Sequence, residues 1–137
     1  MRAAYLHDAL KDAPADRLAP HAPPGWSQPD LFHGPAATAR AALGGEKDQG
    51  VLDAVKYHSV GYAGWDLAGR MLYLADFLEP GRGRRHEQRA ALAARVPADP
   101  AAVLAEVAAA RIAGLIQSGW PLLPEMVAFW NAVARRA

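Results

Sequence analysis

The segment MLYLADFLEP carries one carboxylate, Asp76, among apolar neighbours on a stretch patterned as a buried helix. A buried carboxylate left alone costs several kcal/mol, so it demands a cation, a proton or a metal. A salt bridge to Arg70 or another arginine would satisfy it, and so would a metal ion. Other donors are available: the adjacent His7 and Asp8, then His33 and His58. Imidazole with carboxylate is a donor set suited to Mn, Fe, Co or Zn. Each residue also has an ordinary alternative: His7 as a satisfied core histidine, His33 as a helix-entry residue, His58 as a cation at a helix C-terminus. With five His and nine Asp in 137 residues, an adjacent His-Asp pair also arises readily by chance. Cysteine is absent, so any metal sits on nitrogen and oxygen.

The elements that must position these donors read as helices. Alanine fills 32 positions and Val, Ile and Thr together only 11, which disfavours strands. AAYLHDALK has helical periodicity without a cap in front of it. His7 and Asp8 lie about 100° apart around such a helix. Both can reach one centre only if it is deeply buried, which Tyr5, Leu6 and Leu10 permit. A proline-rich run follows, with at most a short turn near Asp16 to Ala19 and a solvent-facing His21. Helices are expected over Pro35 to Leu43, with His33 and Gly34 just before it, and over QGVLDAVKYHS, capped by Asp48 and ending at His58. A central helix capped by Asp66 runs through LAGRMLYLADFLEP. Three more span Arg84 to Arg95, Pro100 to Ser118 with Leu104, Val107, Ala108, Ile112, Leu115 and Ile116 inward, and Pro124 to Arg136 with Met126, Phe129, Trp130 and Val133 inward. The reading is a single all-α domain, a bundle of about six helices.

The 15 basic and 14 acidic residues leave a net charge of +1, without the basic stripe of a nucleic-acid binder. The run GRGRRHEQR, Gly81 to Arg89, reads by itself as a solvated helix start. No stretch approaches a membrane span and the start lacks the pattern of a signal peptide, so a cytoplasmic protein with no membrane partner is expected.

YLHDALK, LFHGPAA, VLDAVKYHSVG and MLYLADFLEPGR, in this order and spacing, closely resemble the YqeK family of HD-domain phosphohydrolases. The resemblance runs from about Ala3 to the C-terminal helix, and YLADFLEPGR is its most specific part. It implies an all-helical HD domain and a metal-dependent, symmetrical dinucleoside-tetraphosphate hydrolase that cleaves diadenosine tetraphosphate into two ADP. The implied cofactor is a divalent metal, iron first, with manganese, cobalt or zinc as alternatives. The implied partners are a nucleotide substrate and a second copy in a homodimer. His7 and Asp8 become the name-giving dyad, with Lys11 one turn later, and His33, His58 and Asp76 further metal-site residues. Asp8 and Lys11 take catalytic roles; Ser59, Glu79, Arg82 and Arg89 fall on the substrate side. Ser59 stands where the family usually has Thr, and Arg70 where it usually has Lys. His21 and His86 match no family motif and are expected outside the site.

The family also places a metal-binding His on a helix some tens of residues upstream of the dyad, where this chain has six residues. The expectation is therefore an N-terminally shortened HD domain, residues 1–137, with slow or no turnover. The alternative is a catalytically impaired HD-fold protein that binds nucleotide or a partner. Trp26, Trp65 or Tyr62 could stack on a base, with a core role expected for Trp65.

Overall fold

The computed structural model of the protein describes residues 2–79 and 85–134; Arg82 lies outside them. Among the described residues, eight α-helices follow in order: α1 (Arg2–Leu6), α2 (Ala15–Leu18), α3 (His33–Leu43), α4 (Gln49–Tyr57), α5 (Leu67–Phe77), α6 (His86–Arg95), α7 (Pro100–Gln117) and α8 (Pro124–Val133). Single 3-10 turns lie at Ala19–His21 and Pro29–Leu31, and the described residues contain no strand. The all-α expectation holds. Eight helices replace about six because α1 and α2, of five and four residues, stand as separate short pieces beside the proline-rich run.

Carboxylates start three of the helices. Asp48 accepts from the Gly50 and Val51 amides, Asp66 from Gly69 and Asp99 from Ala102. Each such cap is worth about 1 kcal/mol against alanine. The sequence reading named the first two and missed the third. Helix α3 starts two residues earlier than expected, so His33 and Gly34 lie inside it.

The contacts between elements pair α3 with α4, α4 with α5, α5 with α7 and α7 with α8, while α1 rests on α3 and α4. One apolar cluster gathers Leu18, Trp26, Phe32, Val60, Leu123 and Met126; a second gathers Trp65, Tyr73, Leu74, Val103, Val107 and Phe129. Tyr57 packs against both.

The sequence expectation that no stretch approaches a membrane span needs correction. By length and composition α7 is apolar enough to cross one, with 18 residues and a mean hydropathy of 1.3. Its first half is a core element, with Val103, Leu104, Val107 and Ala108 buried. Towards its C-terminus the helix runs past the core, leaving Ile112 and Leu115 half-buried and Ile116, expected inward, 61% exposed.

Candidate metal centre

The close approach of α3 and α4 brings the first two imidazoles together. A Cβ built on Gly34 would stand 2.6 Å from the Lys56 carbonyl oxygen and 3.0 Å from that of Val55. Only glycine lets the two backbones pass at this separation. His33, beside Gly34, and His58, just after α4, then meet at an Nε2 to Nε2 distance of 2.9 Å. Both rings are buried, His58 to 1% exposure.

The dyad reaches the same place by another route than expected. Helix α1 ends at Leu6, and the chain tightens through bonds from the Ala9 amide to Leu6, Lys11 to Asp8 and Ala13 to Leu10, each spanning three residues. The Ala4 carbonyl, which in a continuing helix would accept the Asp8 amide, lies 2.8 Å from the His7 ring nitrogen Nδ1 instead. This tightened turn sets His7 and Asp8 on one side, with His7 Nε2 3.3 Å from Asp8 Oδ2. Deep burial is not what unites them: α1 has no buried residue, and Tyr5 is 85% exposed.

Five donors converge. Asp8 Oδ1 lies 3.6 Å from both His33 Nε2 and His58 Nε2, and His7 Nε2 lies 3.7 Å from Asp76 Oδ1. They form two groups, Asp8 with His33 and His58, and His7 with Asp8 and Asp76, each with ligand atoms within 4.8 Å of one another. Asp8 belongs to both.

The ring orientations make this a metal-like arrangement. Nδ1 of His7 reaches the Ala4 carbonyl at 2.8 Å, that of His33 the Asp30 carbonyl at 3.0 Å, and that of His58 the Val55 carbonyl at 2.7 Å. A carbonyl accepts only, so each Nδ1 carries the hydrogen and, in a neutral ring, each Nε2 turns a lone pair inward. The His33 and His58 lone pairs then face each other at 2.9 Å, an arrangement that a proton or a metal ion must bridge.

Protonation is opposed at His33, whose pKa is lowered by burial and by the neighbouring His58. The Asp8 carboxyl is held below its usual range, first by the His58 imidazole beside it, so it stays an anion. His7 is raised, first by the Asp76 carboxylate that its ring faces. The donor set, ring orientation and charge fit a divalent cation.

Asp76 faces this cluster and also pairs with a cation, Arg111 rather than Arg70. Arg111 Nη2 donates to Asp76 Oδ2 at 3.2 Å and Nη1 to the Ser59 carbonyl at 3.2 Å. The guanidinium stacks over the Tyr73 ring at 4.5 Å, and Phe77 lies at 5.2 Å. The sequence reading missed Arg111, 35 residues away on α7, because no spacing rule links it to Asp76.

The remaining candidates separate. Lys11 is exposed and shares the wall of a cavity with His33. Ser59 follows His58 and gives its carbonyl to Arg111. Glu79 is exposed beyond α5. Arg89 donates to the Phe77 carbonyl and covers the Phe77 ring at 4.5 Å. His21 and His86 lie exposed and outside both donor groups. Of the proposed stacking rings, Trp26 and Trp65 are buried in the core, and Tyr62 stacks on Tyr57 at 4.3 Å.

No family model matches the chain. It is 36% identical over 55 residues to a symmetrical bis(5'-nucleosyl)-tetraphosphatase of Bacillus subtilis, covering 39% of this chain and 30% of that protein. It is 27% identical over 104 residues to another protein of that description from Halalkalibacterium halodurans, covering 74% and 54%. The chain thus spans about half, or less, of the length of these curated relatives. A crystal structure from Clostridium acetobutylicum, described as a "predicted HD superfamily hydrolase involved in NAD metabolism", superposes with a TM-score of 0.81 at 24% identity, over 96% of this chain and 74% of that one. That likeness shows a shared fold. With the sequence likeness to two tetraphosphatases over part of their length, it agrees with the resemblance to the YqeK family of HD-domain proteins.

Proposed function

We propose that this protein is a divalent-metal-dependent phosphohydrolase that cuts diadenosine tetraphosphate, or a close relative, at the middle of its phosphate chain. The observation that carries the metal reading is the pair of inward lone pairs on His33 and His58 beside the Asp8 carboxylate. The substrate class rests on the described activity of the two relatives.

His7, Asp8, His33, His58 and Asp76 would hold one or two ions, iron in the first place, with manganese, cobalt and zinc as alternatives. A divalent cation supplies Lewis acidity toward phosphoryl oxygens and a lowered pKa for water. The residues do the rest. Carbonyls of Ala4, Asp30 and Val55 fix the imidazoles, and Arg111 holds Asp76 in place. Asp8, an anion in both donor groups, can take a proton from the attacking water. Lys11 sets a cation beside the centre, where the leaving nucleoside diphosphate gathers negative charge. Ser59, Glu79, Arg82 and Arg89 form the substrate-side set. In the balanced reaction, one water oxygen bonds to a central phosphorus, the bridging P–O bond breaks and both products are ADP.

The test is direct. Chelator-treated protein is reloaded with Fe(II), Mn(II), Co(II) or Zn(II), and its action on diadenosine tetraphosphate is followed by chromatography. ADP as the sole nucleotide product is expected. AMP with ATP would place the cut elsewhere, and failure to retain any divalent metal would overturn the site reading.

A further inference from the structure

We propose that the cleft between the C-terminal end of α7 and the Pro29–Leu31 turn is a nucleoside subsite, in which Trp120 stacks on the base and Arg111 marks the phosphate end. This rests on the phosphohydrolase reading and goes beyond it by assigning where one half of the substrate lies.

The cavity measures about 420 Å³ and is lined by Gln28, Asp30, Ser59, Arg111, Gly114 and Trp120, among others. That size is within the range of small-ligand sites. Its wall is tied to the metal centre twice: Arg111 binds Asp76, and the Asp30 carbonyl holds the His33 ring. Arg111 also keeps a buried Nε with no acceptor among the described residues.

Trp120 is set by a defined helix end. Gly119 adopts φ +78°, the Gly119 amide donates to the Ile116 carbonyl at 3.1 Å, and the Trp120 amide to that of Leu115 at 3.0 Å. This paired closure needs a left-handed residue, which glycine supplies. It fixes the backbone of an indole that stays 40% exposed, unlike the buried Trp26 and Trp65.

From Arg111 to Ser118 the helix rises roughly 10 Å, room for a ribose and a phosphate between cation and ring. Between them Gly114 leaves the cleft open, since a Cβ there would meet nothing within 4 Å. A second cavity, of about 290 Å³ and lined by Lys11 and His33, shares Asp30 with the first and has no Trp, Tyr or Phe in its wall. The two halves of a symmetrical substrate are therefore held unequally, one by stacking and one by charge.

Calorimetric titration of the metal-loaded protein with ADP and with inorganic pyrophosphate tests this. Trp120→Ala should weaken ADP about tenfold, Trp120→Phe should restore most of the loss, and Gly114→Leu, which fills the cleft while favouring helix, should weaken ADP as well. Pyrophosphate affinity should be the same in all four proteins. Unchanged ADP affinity in both Trp120→Ala and Gly114→Leu overturns the subsite, as does equal loss of pyrophosphate or no ADP binding by the wild type. ADP binding that depends on Trp120, in a protein that leaves diadenosine tetraphosphate uncut, upholds the subsite and overturns the hydrolysis.

Discussion

The His33 and His58 half of the centre and the His7 and Asp8 half are held by opposite means. The first is built into the core, its helices locked at Gly34 and its rings buried. The second hangs from α1, which buries no residue and is tethered at its start by Arg2, 3.3 Å from Glu46 and 3.5 Å from Asp48. Their electrostatics diverge accordingly: burial lowers the His33 pKa, while the facing Asp76 carboxylate raises that of His7. A donor pair can thus be preformed by packing, or assembled by the charges it meets.

The strongest way to break the contrast is to remove donors. His33→Ala or His58→Ala should lower metal affinity at least about a hundredfold, since deleting a ligand exceeds the effect of losing its supporting partner. His7→Ala should cost only about tenfold, because water can enter the more open half. Equal losses by metal titration would dissolve the distinction. Gly34→Ala should cost about 1–3 kcal/mol in urea denaturation, because its Cβ meets backbone that cannot yield. Tyr5→Ser, on the exposed face of α1, should stay within about 0.5 kcal/mol.

Proton linkage sharpens the same comparison in chelator-treated protein. His33, lowered in the folded state, contributes stability that is complete above its ordinary pKa of 6.5 and is lost as pH falls through the folded value. His7, raised, contributes stability that is complete below 6.5 and is lost as pH rises through the folded value. Denaturation across pH should therefore show a shallower acid-side loss in His33→Asn and a shallower loss on the rising side in His7→Asn. The reverse assignment would refute the electrostatic contrast. A small effect is also expected of Arg2→Ala. With Arg2 exposed, stability should change by less than about 1 kcal/mol, while amide exchange in α1 should quicken.

The helical class and most helix starts were legible because Asp48, Asp66, Pro100 and Pro124 act locally. The donors were legible as residue types and as a resemblance, and the resemblance needed no knowledge of how the chain brings them together. What escaped was tertiary. The His7 ring taking the Ala4 carbonyl ends α1 one residue before the dyad, which helical periodicity cannot register. Arg111 meets Asp76 only because α7 crosses α5, and Ile116 is exposed only because α7 runs past its neighbours. Trp120 did have a local signal, Gly119 after a long helical pattern, but its exposure depends on the cleft beside it.

Each of the three imidazoles takes its orientation from a carbonyl three residues earlier in its own stretch of chain. Aim and address are therefore separate inheritances. A core substitution can shift where a ring stands without changing which nitrogen it presents, and a segment carried into another helical frame brings its aim along. The part of the centre most exposed to evolutionary accident is thus the spacing between segments, while each segment alone remains a ready-made ligand.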